Sequence, residues 1–247
     1  MPKPDIYLSV IIPAYNEAER LPKTLRRFDE YFAAQPYSYE ILVVNDGSRD
    51  GTAAVVNKMA GEIKNLRLID RGKNMGKGHT VREGMLAANG RIRLFADADN
   101  ATDISHFDKM RPLFDGGYDI VICSRDPKDA KGAKLVVRQP LWKELLGNLG
   151  NLYIQLLAVR GIWDTQCGFK AFRDYAAERI FSLAKVNRWA FDVEALALAR
   201  KLNYKIGIVP ANWVNDPRTA VRLSSYLHTL WEVFKISRNI RKSKYFL

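Results

Sequence analysis

The sequence predicts an α/β fold: a mostly parallel central sheet flanked by helices, followed by an amphipathic C-terminal helix. Two observations predict the sheet. Short β-rich apolar runs alternate with stretches of helical spacing, and the helical stretches are long enough to serve as crossovers between parallel strands. A third predicts the appendage: the last thirty or so residues combine an apolar helical face with a basic rim. At 247 residues and 47% apolar content, the chain can bury a real core and is too apolar for disorder. Its two cysteines, Cys123 and Cys167, make no disulfide framework, which fits a reducing compartment. The polar start lacks a signal-peptide core, and no apolar run has the roughly 18–20 residues of a spanning helix. The net charge of +12 favours anionic partners. Nucleic acid is disfavoured, because the basic residues gather in one loop and one tail and no nucleic-acid module is visible.

Residues 7–12 read as the first strand, ending at Pro13. Residues 17–34 then place Leu21, Leu25, Phe28 and Phe32 on one helical face. A second strand over 40–44 ends at Asn45-Asp46-Gly47-Ser48, and residues 51–60 read as helix. A third strand over 66–69 leads to Asn74-Met75-Gly76-Lys77-Gly78 and a helix to about Ala88. The apolar run 92–96 is a buried strand ending in Asp97-Ala98-Asp99-Asn100. Residues 104–114 read as helix and 118–123 as a fifth strand. Residues 125–137, with Arg125, Lys128, Lys131 and Lys134, read as a basic loop. The stretch 141–159 is rich in Leu and aromatics but broken by Gly147 and Gly150 and carries Asn148, Asn151 and Gln155. A buried core helix and an interfacial helix both fit it. Residues 166–172 read as a strand or turn crossing near the site, 190–202 as helix and 205–209 as the last strand. In the tail, Leu223, Leu227, Leu230, Trp231 and Phe234 share a helical face. Seven basic residues (Arg218, Arg222, Lys235, Arg238, Arg241, Lys242, Lys244) face one acid, Glu232. That pattern suits a helix lying in a membrane interface; the alternative is a helix packed on the core with a solvated basic end.

In open α/β sheets ligands bind beyond the carboxyl ends of the strands. Tyr15-Asn16-Glu17, Asp46-Gly47-Ser48, Lys77 and the Asp97/Asp99 pair all fall at such ends. Two carboxylates at i and i+2 of a strand end point the same way. They can grip one hard divalent cation, Mg2+ or Mn2+, with positions left open for a diphosphate. The plain alternative is a turn after a strand, where Asp and Asn are common. Lys77, between two glycines, can reach a base or diphosphate; it also reads as a solvated surface lysine.

Val10-Ile-Ile-Pro-Ala-Tyr-Asn-Glu17, Val44-Asn-Asp-Gly-Ser-Arg-Asp-Gly-Thr52, Asn74-Met-Gly-Lys-Gly78 and Asp97-Ala-Asp99 resemble the inverting family 2 glycosyltransferases of the GT-A fold. Asp164-Thr-Gln-Cys-Gly-Phe-Lys170 and Arg188-Trp-Ala-Phe-Asp-Val-Glu194 are similar to the polyprenyl-phosphate sugar transferases, in particular the dolichyl-phosphate β-glucosyltransferases. The resemblance spans about residues 8–214. It implies a GT-A domain over 1–216, while the tail's own amphipathic and basic pattern makes 217–247 the expected membrane-interface element. It further implies inverting, metal-dependent transfer of glucose from UDP-glucose to dolichyl or polyprenyl phosphate at a cytoplasmic membrane face. GDP-mannose or another UDP-hexose as donor, or a soluble enzyme acting on a glycan hydroxyl, are the alternatives. Pro13, Tyr15, Glu17, Asp46, Lys77, Asp97 and Ala98 are then expected to line the nucleotide-sugar pocket, and Asp97 and Asp99 to hold the metal. Arg125, Arg138 and Lys170 would steer the acceptor phosphate. Asp164, Gln166, Arg188, Trp189, Asp192 and Glu194 would lie on the acceptor and sugar side, Asp192 and Glu194 reading equally as structural ion-pair partners. Cys167 reads as a packed residue, since this chemistry needs no thiol.

Two departures from the pattern bear on the expectation. Eukaryotic glucosyl members carry an N-terminal membrane helix and bacterial relatives often carry C-terminal spanning helices. This sequence has neither, so attachment is expected to rest on the amphipathic segments. Ala101 stands where some mannosyl relatives have a metal-assisting polar side chain. A phosphate monoester is largely a dianion at neutral pH, so such an acceptor needs positive charge more than a general base. The chain's three histidines, His79, His106 and His228, fit that reading.

Overall fold

The computed structural model describes residues 5–135, 141–213 and 223–245. Among these, nine strands and eight helices follow in the order β1 (Leu8–Ala14), α1 (Leu21–Ala33), β2 (Tyr39–Asn45), α2 (Thr52–Ala60), β3 (Leu66–Asp70), α3 (Lys77–Ala87), β4 (Ile92–Ala96), α4 (His106–Asp115), β5 (Ile120–Ser124), β6 (Lys134–Leu135), α5 (Leu141–Leu157), β7 (Phe169–Arg173), α6 (Asp174–Leu183), α7 (Phe191–Lys201), β8 (Ile206–Pro210), β9 (Asn212–Trp213) and α8 (Leu223–Arg241). Seven strands form one sheet in the order β3-β2-β1-β4-β7-β5-β8, and β6 pairs with β9 in a small second sheet. Every pairing in the large sheet is parallel except those of β7, which runs antiparallel to both β4 and β5.

The inner strands are apolar throughout because helices cover both faces. Each residue of β1, β4 and β5 is buried. Two apolar layers result. One packs α1, α2 and α4 on the face carrying Val10, Ile12, Leu94 and Phe169. The other packs α3, α6 and α7 on Ile11, Leu42, Phe95 and Phe172. Helix α1 buries Leu21, Leu25, Phe28 and Phe32, as their spacing predicts. It begins at Leu21 rather than at residue 17, because Pro22 occupies its first turn and residues 17–20 form a preceding turn closed on the Glu17 carbonyl.

The antiparallel strand β7 is the main departure from an all-parallel sheet. The register pairs Ala96 with Phe169, so β7 starts at the rim where its neighbours end. The turn before it, residues 164–168, therefore stands beside the carboxylate pair. Helix α6, a stretch without a sequence assignment, follows β7 directly. Helix α8 packs on α5 and α7. It buries Val233, Ile236 and Ser237, and the Ser237 hydroxyl donates to the Leu157 carbonyl at 2.7 Å. Leu227, Trp231 and Phe234, from the apolar face read in the sequence, stay exposed, as do Leu149, Leu152 and Leu156 of α5. Helix α5 is thus one-sided: Ile154 is buried while three leucines face outward. No helix among the described residues is long and apolar enough to cross a membrane.

Candidate active site

The rim beyond the strand ends carries the candidate residues from six segments. Tyr15 and Glu17 follow β1, Asp46 follows β2, Lys77 opens α3, and Asp97 and Asp99 follow β4. Arg125 follows β5, and Asp164 to Gly168 precede β7.

Asp97 is the centre of this arrangement. Its backbone N–H donates to the Gly168 carbonyl at 3.1 Å. Its carboxylate lies so close over Gly168 that a Cβ there would stand 2.0 Å from Oδ2. Oδ1 is buried and accepts no well-formed hydrogen bond among the described residues. It meets the Lys77 ammonium as an ion pair at 2.6 Å. Burial raises the pKa of Asp99, and the neighbouring Asp97 charge adds to that. One Asp99 oxygen accepts the Ala101 N–H at 3.0 Å. A buried carboxylate oxygen held by a single ammonium, beside a second carboxylate, fits a hard divalent cation, whose remaining positions would fall to substrate phosphates and water. Among the described residues no group of three or more acidic, histidine or cysteine side chains is placed to hold a metal ion together. Asp97 and Asp99 would hold the ion as a pair.

Glu17 takes Arg20 in a two-point grip, Nε to Oε2 at 2.7 Å and Nη2 to Oε1 at 2.5 Å. Burial raises its pKa against that pairing, and Asp99 and Asp97 contribute. Glu17 and Arg20 line a cavity of about 320 Å³ with Asn16, Glu19 and Asp50. Tyr15 is exposed on the same rim.

Several expected site residues turn inward. Pro13 lies within the buried strand β1. Ala98 is buried, and its carbonyl accepts the Thr24 hydroxyl at 2.6 Å, tying the loop after β4 to α1. Both oxygens of Asp46 are engaged, by Arg71 Nη2 (2.5 Å), Met75 N–H (2.8 Å) and Gly76 N–H (2.9 Å). In this structure Asp46 holds the loop that presents Lys77. Lys170 is a correction: as an acceptor-phosphate ligand it would need an open path, yet its side chain is fully buried. Its ammonium donates to the Cys167 carbonyl at 2.5 Å and to Asp192 Oδ1 at 2.7 Å. From β7 the side chain points towards α7 and ties Asp192 to the Cys167 turn. Glu194, read equally as a structural partner and an acceptor-side residue, falls on the structural side. It is fully buried and accepts both the Lys185 and Val186 N–H groups and the Tyr245 hydroxyl at 2.6 Å. It fastens the 185–190 segment from behind rather than facing an acceptor.

Arg125 and Asp164 meet in a bidentate pair, Nε to Oδ2 at 2.7 Å and Nη2 to Oδ1 at 2.8 Å, with the Arg125 guanidinium 5.3 Å from the Trp213 ring centre. Burial would raise the Asp164 carboxyl; Arg125 outweighs it and holds it at about 2. Asp164 takes two of the five guanidinium N–H donors. Burial, then Asp164, pushes the Cys167 thiol up to about 11, so it stays neutral and unreactive. Gln166, Arg188 and Trp189 are exposed at the rim. Asp192 is buried against Lys170. Arg138 and residues 214–222 of the tail lie outside the described residues.

Three functional neighbours escaped the sequence reading. Arg71 joins Asp46, Thr80 and His79 in one buried network. Asp129 accepts the Trp163 and Asp164 N–H groups at 2.8 Å each, tying the basic loop to the Asp164 turn. Arg20 neutralises Glu17; its position three residues on, one helical turn away, was the available signal.

A family model described as glycosyl transferase family 2 matches residues 9–181. A dolichyl-phosphate beta-glucosyltransferase of Trichomonas vaginalis is 36% identical over 95% of this chain and 74% of its own length. One of Drosophila melanogaster is 38% identical over 96% and 74%, and one of Dictyostelium discoideum 38% over 86% and 68%. Among solved structures, glucosyl-3-phosphoglycerate synthase from Mycobacterium tuberculosis in complex with uridine diphosphate superposes with TM-score 0.69 at 18% identity, covering 95% of this chain and 80% of that one. A mannosyltransferase from Pyrobaculum calidifontis in complex with GDP-Man and Mn2+ superposes with TM-score 0.57 at 17% identity, covering 97% and 75%. At such identities the likeness shows the fold, which is of the GT-A type.

Proposed function

Because the chain belongs to glycosyl transferase family 2, we propose that it transfers glucose from UDP-glucose to a dolichyl or other polyprenyl phosphate, with inversion, at the cytoplasmic face of a membrane. The named activity of its relatives supports the sugar and the acceptor. The single observation that carries the chemistry is the Asp97/Asp99 pair, with a buried Oδ1 held beside a cation at the end of β4. Mg2+ or Mn2+ bound there would screen the charge building on the leaving nucleoside diphosphate. Asp97 and Asp99 hold that position; Glu17 and Tyr15 border the nucleotide side.

The acceptor phosphate brings its own negative oxygen, so the chain's task is to attract and orient it. Arg125 is suited to this, its planar fork already set by Asp164. The histidines are engaged elsewhere, which supports a mechanism without a histidine base. His79 lies beside Arg71, His106 contacts the Asp103 carbonyl and accepts the Asn212 N–H, and His228 lies beside Glu232.

Two adjacent helices support membrane attachment. Leu149, Leu152 and Leu156 on α5, and Tyr226, Leu227, Trp231 and Phe234 on α8, are exposed. Basic side chains flank the α8 row, with Lys235 over the Trp231 ring at 5.3 Å. Such a surface fits an interface rich in anionic lipid.

The acceptor class is tested by offering polyprenyl phosphate and the matching polyprenol with UDP-glucose and Mg2+. Transfer to the phosphate alone is expected. Transfer to the alcohol, or only to a water-soluble glycan, would refute the acceptor assignment.

A further inference from the structure

The loop that carries Lys77 is fixed at its backbone, and the side chain reaches out from it to an ion pair with Asp97. Gly76, at φ +98°, packs so tightly that a Cβ there would stand 2.4 Å from the Asn187 carbonyl. At Gly78 it would stand 2.7 Å from both Phe191 Cβ and the Val186 carbonyl oxygen. Asp46 accepts the Met75 and Gly76 N–H groups from the other side. From this clamped base a four-carbon arm places its ammonium on Asp97 Oδ1, 6.0 Å from the Trp189 and Phe191 ring centres. The Lys77 side chain is about a quarter exposed, so the arm has an open path away from the contact. Asp97, by contrast, has no freedom on the Gly168 side.

We propose that Lys77 is a displaceable cation: it neutralises Asp97 in the donor-free protein, yields Oδ1 to the divalent ion that arrives with the nucleoside diphosphate, and then engages the diphosphate oxygens. The proposal rests on the reading of Asp97 as a metal ligand. Its physical basis is that a buried carboxylate oxygen is costly to leave without a compensating positive charge, which Lys77 supplies here. One monovalent cation on a mobile stem can be exchanged for a divalent one without moving the backbone. The exchange also makes the metal and the nucleotide cooperative, because the displaced ammonium gains a partner only when the diphosphate is present.

Mn2+ binding to the full chain, followed by electron paramagnetic resonance with and without UDP, tests this without turnover. Lys77→Met should bind Mn2+ in the absence of nucleotide about tenfold tighter or more than the parent, as expected when a competing charge is removed from contact with a carboxylate. It should also lose much of the tightening that UDP confers. Asp97→Asn should abolish binding in either background. If Lys77→Met binds Mn2+ no more tightly while Asp97→Asn loses it, displacement is wrong and the metal assignment stands. If Asp97→Asn binds like the parent, the metal assignment itself fails. A second readout uses the parent chain: acylation of Lys77, mapped by mass spectrometry, should accelerate with saturating Mn2+ and slow again when UDP is added. An unchanged rate with Mn2+ bound would overturn the proposal.

Discussion

At Gly168 there is no room for a side chain, since a Cβ would stand 2.0 Å from the Asp97 carboxylate. Gly168→Ala should therefore displace that carboxylate and cost on the order of 100-fold in turnover, the scale of a roughly 1 Å misplacement in an active site. Circular dichroism should remain native, and parent-like turnover would contradict the account. Asp99→Asn, at the open rim, is expected to abolish metal-dependent transfer with the melting temperature little changed. The Arg125–Asp164 pair makes a pH prediction. The Asp164 carboxyl lies at about 2 in the folded protein, below its ordinary 3.8. The stabilisation this brings is complete above the unfolded value and lost as pH falls through the folded one. It amounts to about 2 kcal/mol by linkage. The stability gap between the parent and Asp164→Asn, from urea melts, should be constant from pH 7 to about 5 and shrink between about pH 4 and 2. A gap that widens on acidification would refute the pairing. The carboxylate pair, Lys77 and Arg125 were legible in the sequence because each ends or opens an element at the same rim. The inward turn of Lys170 and Glu194 was not, because a motif gives a residue's place along the chain and not which side of the sheet encloses it.

At the scale of elements, strand β7 and helix α8 tie the site together. A short strand such as Phe169–Arg173 carries no mark of direction, so its antiparallel course had to come from pairing between β4 and β5. That course brings Asp164 and Gly168 to the rim. Helix α8 was legible from its apolar and basic faces. Its grip on the site was not: Glu232 accepts the Ala190 N–H at 3.1 Å, and Tyr245 reaches Glu194 behind the segment that packs on the Lys77 loop. Residues 242–245 are therefore anchored despite the basic composition around them. Tyr245→Phe leaves the buried Glu194 one donor short and should cost about 1–3 kcal/mol in denaturant melts; no loss would show that this bond is unimportant. Leu156→Glu together with Trp231→Glu should release the protein from anionic vesicles in co-sedimentation while the fold persists. Undiminished binding would assign attachment to other residues.

For the molecule as a whole, the sheet brings segments distant in sequence to one edge, and both apolar helix rows belong to the half of the chain that also supplies Arg125, Asp164 and Asp192. A lipid-linked acceptor suits that arrangement, with Tyr15 and Glu17, proposed to border the nucleotide, coming from the first half. Radiolabelled sugar transfer into organic-extractable lipid tests the central claim most directly. UDP-glucose, UDP-galactose, UDP-N-acetylglucosamine and GDP-mannose are offered in turn with polyprenyl phosphate and Mg2+ or Mn2+. The account predicts label in the lipid phase from UDP-glucose, abolished by chelator. Label from GDP-mannose alone, or no lipid label from a protein that still binds UDP-glucose, would contradict it.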